Sequence, residues 1–318
     1  ILSNHISSLP KPTQTSVALS DFHVDVAVKN LNSVLEVLKP ELKIASGTHC
    51  EAVYTSSDTV CSLLATSPQC SYNSIVLNDC RIDGSCSFSG LDFNVLYSLD
   101  SVQESSNVAQ VICNVVRDSL KTRLKWNYAT AINTHGELEI HGKMQAKQQG
   151  MLPKFLLEVQ PTQMYFSDSL WNVARSNIVV DTSSISIANF SFYKDSKKIQ
   201  VDGIISQNKD DYLVIAVENY DIQELSTLIN NPKARLSGPL HGKVRVKNIY
   251  EMPLIFADVQ SEAFSFNDNL LGALRIRSFW ENKSKSMLAY ASIKNEHAEV
   301  LSVKGSYTPH SDSLSCNG

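Results

Sequence analysis

The sequence has no uninterrupted apolar run of the roughly twenty residues that a membrane-spanning helix needs, and no basic leader ahead of an apolar segment. Neither a spanning helix nor a signal peptide is therefore read from it. It also lacks a GxSxG elbow, a Walker loop, a dinucleotide fingerprint and an HExxH helix. The common catalytic frames fail at the level of spacing, so no enzyme activity and no cofactor are expected. Long helical crossovers are missing, which disfavours a doubly wound α/β fold. Charged residues make up 19% and the net charge is -4 with signs interspersed. Basic residues stand singly on strands rather than in clusters, and nucleic acid is not an expected partner.

The seven cysteines are Cys50, Cys61, Cys70, Cys80, Cys86, Cys113 and Cys316, with no CxxC pair and no histidine at zinc-finger spacing. No metal site is expected. An odd count excludes complete internal pairing, and a chain of this length does not need disulfides for stability. Mostly free, small apolar strand residues are the expected state, with one or two bridges within Cys50 to Cys86 left open for an oxidising compartment. At 318 residues and 43% hydrophobic, the chain is long and apolar enough to fold. Its abrupt start at Ile1 and polar tail from Ser311 to Gly318 lead to the expectation of an excised fragment.

What is present is period-two alternation, in short runs separated by Asn, Asp, Ser, Gly or Lys turns. From Glu137 to Lys147, Leu138, Ile140, Gly142, Met144 and Ala146 face one way and Glu137, Glu139, His141, Lys143, Gln145 and Lys147 the other. Val244 and Val246 oppose Lys243, Arg245 and Lys247, and Leu274 and Ile276 oppose Arg275 and Arg277. Ile185/Ile187, Ile199/Val201 and Leu213/Ile215/Val217 repeat the pattern, and Ile178 and Val180 add a further pair. Short connections such as Lys194 to Lys197 and Asn208 to Asp211 predict an antiparallel meander. The predicted class is all-β: an elongated, curved antiparallel sheet with two short helices.

The helical signals resemble each other. Ser33 with Glu36 reads as a capping box, followed by Leu31, Val34, Leu35 and Leu38 at helical spacing and a stop at Pro40. Asp221 and Glu224 lead Ile222, Leu225, Leu228 and Ile229 to Pro232 in the same way. Each is followed by a short strand and a glycine, Leu42 to Gly47 and Ala234 to Gly238. The duplication, about residues 26–60 and 215–248, points to one repetitive segment over 1–318. Pro153 to Pro161 and Tyr165 to Ala174, with Trp171 in a polar context, read as a wide connection or an edge strand, and Ser101 to Asn107 as a loop.

The eight histidines, His5, His23, His49, His135, His141, His241, His297 and His310, are scattered over turns and wet strand faces. Glu137 with Glu139 and Asp210 with Asp211 read as solvated surface charge, because general acid work needs a desolvated or coupled carboxyl group. The sequons at Asn189 and Asn282 matter only in a eukaryotic secretory route. What remains is the apolar stripe. In a sandwich it is core; in a trough, only acyl chain or a second protein can cover it. Period-two pattern alone does not separate these.

From Ser169-Leu170-Trp171 onward, the ordered series Ile178-Val179-Val180-Asp181, Ile187-Ala188-Asn189-Phe190, Ile199 to Gly203 and Leu213 to Asn219 continues through Asp221 to Leu228, Leu236 to Gly242, Leu271-Gly272-Ala273-Leu274, Phe279-Trp280 and Gly305-Ser306-Tyr307. This order, over roughly Gln163 to Pro309, resembles the TamB family, the translocation and assembly module proteins of the diderm cell envelope, in its long Bacteroidetes-type form. Leu31 to Pro40 and Gly47-Thr48-His49 match it more loosely. The resemblance implies a U-shaped β-taco related to AsmA-like and bridge-type lipid-transfer proteins, standing in the periplasm, with the full-length protein anchored in the inner membrane. It implies phospholipid passage between inner and outer membranes, with an outer-membrane barrel protein of the assembly family as partner. Leu138, Ile140, Met144, Ile178, Val180, Ile185, Ile187, Ile199, Val201, Leu213, Ile215, Val217, Val244, Val246, Leu274 and Ile276 would line the groove. A scaffold module that binds partner strands at a sheet edge is the other reading, and an exposed trough is expected to favour a homodimer.

Overall fold

A computed structural model describes residues 2–7, 9, 20–73, 75–98, 107–129, 133–146, 153–166, 169–223, 235–308 and 313–317. It is nearly all strand, and every registered strand pairing among the described residues is antiparallel. The predicted all-β antiparallel class is the class observed; of the two predicted short helices, the first is the helix Asn32–Leu38 and the second falls mostly outside the described residues. The chain divides into two compact units, Ile1–Ser169 and Leu170–Gly318.

The first unit contains α1 (Leu2–His5), β1 (Phe22–Val28), α2 (Asn32–Leu38), β2 (Leu42–Ile44), β3 (Thr48–Thr55), β4 (Val60–Tyr72) and β5 (Ile75–Cys86). It continues with β6 (Leu91–Ser98), β7 (Val108–Val116), β8 (Ser119–Ala129), β9 (Asn133–Gln145), β10 (Lys154–Val159) and β11 (Thr162–Phe166). From β3 to β9 each strand pairs with the next, an antiparallel meander. Between β7 and β8, Arg117 and Asp118 have φ of 48° and 64°, the left-handed pair whose twist matches that of the flanking strands. The stretch around Pro161 is one strand's worth of pairing broken in two: β10 and β11 both pair with β9, because proline cannot donate to a ladder.

The second unit contains β12 (Ser169–Val173), β13 (Ser176–Val180), β14 (Ser184–Lys194), β15 (Lys197–Ser206), β16 (Tyr212–Asp221) and β17 (Leu236–Ser237). After these come β18 (Pro239–Lys247), β19 (Leu254–Phe266), β20 (Asn269–Glu281), β21 (Ser286–Lys294), β22 (Glu299–Thr308) and β23 (Ser313–Asn317). Two ladders slip by one residue where an asparagine takes a left-handed conformation, at Asn189 (φ 58°) on β14 and Asn219 (φ 52°) on β16. The side chain just before the facing glycine captures each bulge. The Asn189 N–H donates to Asp202 Oδ1 at 2.6 Å, ahead of Gly203, and the Asn219 N–H donates to His241 Nδ1 at 3.4 Å, ahead of Gly242. Such bulges bend a strand and raise its local twist.

The two segments read as duplicates share a connectivity. β1 pairs with β3 while β2 reaches past to β4; β16 pairs with β18 while β17 reaches past to β19. The helical signals fare differently. α2 begins at Asn32 with Leu31 at the N-cap and no side-chain cap bond, so the Ser33/Glu36 capping box is not formed. The Asn32 Oδ1 accepts the Ile44 N–H at 3.0 Å instead and ties the helix to β2. Of the second helical signal, Glu224 to Pro232 lies outside the described residues, as do Lys147, Ser101 to Ser106, Ala234 and His310. The other observed helix, α1, carried no sequence signal that we read.

Trp171 corrects its expected polar setting. It is fully buried, stacked on Phe192 with ring centroids 4.5 Å apart and tilted against Tyr220 at 5.8 Å. Burial in this unit concentrates beyond the bulges: Val173, Tyr220, Leu240, Phe264, Leu274 and Ile293 are all buried. Phe264, Leu274 and Ile293 form a local core against which Ile222, Leu236 and Leu271 pack.

Candidate functional site: a one-sided apolar sheet face

Residues opposite one another in an antiparallel ladder share a sheet face, so the registers assign faces without ambiguity. In the first unit the row Val26, Cys50, Ala65, Ile82, Val95, Val111, Leu124 and Leu138 crosses eight strands without a polar side chain. With strands about 4.8 Å apart, its seven gaps extend roughly 34 Å. A neighbouring row runs Ala52, Leu63, Gly84, Phe93, Cys113, Thr122, Ile140 and Val159. The opposite face carries Arg123 and Lys125 against Glu137, the Arg123–Glu137 contact being 2.8 Å, and His141 against Glu139. The hydrogen bond from His141 holds the Glu139 carboxyl below the usual range for glutamate. These pairs are solvated ion pairs of the wet face, each worth little.

The second unit repeats the arrangement. One row runs Ile178, Ile187, Gly203, Leu213, Val246 and Ile255; another runs Val201, Ile215, Val244 and Ala257. A third joins Ile199, Val217, Gly242, Val259, Ile276, Ala291 and Val303. Val180 and Ile185 pair beside them, and Leu274 faces Ile293. Thus Leu138, Ile140 and Met144 share the apolar face of the first unit, and the thirteen predicted positions from Ile178 to Ile276 share that of the second. Fourteen of the sixteen are half-buried rather than enclosed. Met144 and Leu274 are each 7% exposed, so they are not on an open surface, and Leu274 belongs to the core with Phe264 and Ile293.

The sequence reading missed most of the first unit's face, although alternation announces it. Phe22, Val24 and Val26 alternate with His23 and Asp25, and Leu120, Thr122, Leu124 and Trp126 with Lys121, Arg123 and Lys125. Phe22, Val24 and Val26 are exposed at 47%, 48% and 45%. A cavity of about 680 Å³ opens on this face, lined by Leu2, Leu9, Cys61, Leu63, Leu91 and Phe93 among others. The N-terminal segment is pinned beside it: His5 Nε2 donates to the Ser87 carbonyl at 2.6 Å, the Asp118 N–H donates to the His5 carbonyl at 2.8 Å, and the Ser7 N–H donates to Asp118 Oδ1 at 2.7 Å.

Cys50, Cys61, Cys86 and Cys113 belong to the apolar face as small strand residues, with Cys61 directly opposite Cys86. The Cys70 and Cys80 sulfurs lie 3.2 Å apart. Burial, aided by the Cys70 contact, pushes the Cys80 thiol up to about 12. At pH 8 only about one Cys80 in ten thousand is then thiolate, four pH units below its pKa. Iodoacetamide is expected to label exposed Cys316 first and Cys80 last, with the Cys80 rate rising tenfold per pH unit through pH 10. Peptide mass mapping over a time course checks this, and equal rates at the two sites would contradict the burial.

Among the described residues no cluster of three or more His, Cys, Asp or Glu side chains is placed to hold a metal ion, and no helix is long and apolar enough to cross a membrane. No family model, curated protein or solved structure matches the chain.

Proposed function

We propose that this chain is a segment of a lipid-conducting groove in the cell envelope, one that carries phospholipid between inner and outer membranes and supports outer-membrane assembly. The supporting observation is the set of apolar rows on one sheet face of each unit, left half-open, with Arg123, Lys125, Glu137, Lys243, Arg245 and Arg277 on the other. Water contact with such a face is unfavourable by about 25 cal/mol per Å² of apolar area, and patches of this kind mark interaction surfaces. A row of Leu, Ile and Val offers no polar anchor. Acyl chains can slide along it while headgroups stay in water, so no catalysis and no specific polar site are required. The resemblance to TamB proteins supports the same reading and supplies the periplasmic setting and the barrel partner.

Native mass spectrometry with lipid extraction from the same sample tests this. Wild type is expected to carry phospholipid, and Ile140→Asp or Val244→Asp to lose most of it while keeping native β circular dichroism. A lipid-free wild type that these substitutions unfold would make the stripe an ordinary core and leave the scaffold reading ahead.

A further inference from the structure

The face of the second unit opposite the apolar rows gathers basic side chains that the sequence spaces far apart. Lys243, Arg245 and Lys247 alternate along β18, Arg275 and Arg277 along β20, and Lys304 stands on β22. The registers align Lys243, Asp258, Arg277, Tyr290 and Lys304 in a single row. This corrects the reading that basic residues stand singly.

The Asp258 carboxylate sits in this row, shared by Arg275 and Arg277 at 3.3 and 3.6 Å. Six basic side chains against the two carboxylates of Asp258 and Glu281, which follows Arg277 and Phe279 on the same face of β20, leave a local charge of about four positive, on a chain whose net charge is -4. Four interstrand gaps by six residues of strand, from the level of Arg275 to that of Lys247, make the patch roughly 19 by 20 Å. Exposed rings lie among the cations: Tyr212 beneath Arg245 at 4.9 Å, Tyr290 beneath Lys304 at 5.4 Å, and Phe279 stacked on Tyr290 at 5.7 Å.

We propose that this face docks on an anionic phospholipid bilayer, its Lys and Arg side chains meeting headgroup phosphates and its rings resting at headgroup depth. The argument is charge complementarity together with the state of the rings. Single-stranded nucleic acid needs free aromatic faces for bases to stack on, whereas Tyr212 and Tyr290 are already covered by a cation or another ring. A headgroup layer asks only for dispersed positive charge and amphipathic rings. The inference stands on the opposite sheet face from the groove and does not depend on lipid conduction.

Cosedimentation with vesicles of phosphatidylcholine, with and without phosphatidylglycerol, tests it at low and high salt. Wild type is expected to bind the anionic vesicles at least about tenfold more tightly, with the difference shrinking as salt screens it. The double variant Arg245→Glu/Lys304→Glu is expected to lose at least that factor with its circular dichroism and melting unchanged, while Val244→Asp on the apolar face retains the binding. Equal binding to neutral and anionic vesicles, loss in Val244→Asp but not in the charge variant, or tighter binding to a single-stranded oligonucleotide than to vesicles at the same salt would each overturn the proposal.

Discussion

Gly242→Ala is expected to lower the urea midpoint of the second unit by about 1 M or more, a loss of about 3 kcal/mol at a slope of a few kcal/mol per M. Gly242 has φ +142°, and a Cβ built there falls 2.2 Å from the Asp258 carbonyl oxygen and 2.7 Å from the Val259 Cα. Both obstructing atoms are backbone of β19, the strand it pairs with, so no rotamer change relieves the contact. The substitution adds a backbone strain of roughly 1–3 kcal/mol to a forced separation of the ladder. Gly203, at φ +130° with its Cβ position 2.1 Å from the Tyr212 carbonyl oxygen, should behave alike. Gly305→Ala is the control, because its nearest obstacle is the Ser315 carbonyl oxygen at 3.6 Å, ordinary contact. Matching midpoints for Gly242→Ala and Gly305→Ala would show that β18 does not adopt the bulge-facing conformation.

The second large effect belongs to Trp171→Ala, which should cost about 3–5 kcal/mol, the usual range for truncating a buried aromatic. Trp171 is fully buried against the rings of Phe192 and Tyr220, and its removal leaves a cavity among them. Trp171→Phe should recover much of the loss. The indole Nε1 is buried without a hydrogen-bond partner among the described residues, so phenylalanine gives up area and no polar bond. Equilibrium denaturation followed by circular dichroism measures both variants. A Trp171→Ala midpoint within error of wild type would place the indole in solvent.

Much of the fold was legible because a strand's side-chain period is two and its connections here are short. Lys194 to Lys197 closes a hairpin with Asp195 at φ 51°, as its turn residues predicted. Leu138, Ile140, Val244 and Val246 each occupy the face that alternation gives them. The bulges were less visible. Asn189 and Asn219 look like ordinary strand residues until Asp202 and His241 arrive from the next strands in register to accept their N–H groups. Trp171 looked polar because its sequence neighbours are, while the rings that bury it lie about 20 and 50 residues away. The capping box at Ser33 was a local signal that lost to a tertiary bond, Asn32 to Ile44.

By itself, then, the sequence determined the strand class, the antiparallel connectivity and which side chains share a face, since these follow from local periodicity and turn chemistry. Only the tertiary structure decided which rows align across strands, where glycine must face a bulge, and that Trp171 and Leu274 are buried while most of the apolar face stays half-open. It also brought Lys243, Arg277 and Lys304 into one row. Those outcomes depend on inter-strand register, a sum of pairings between residues far apart in the chain that no local window contains.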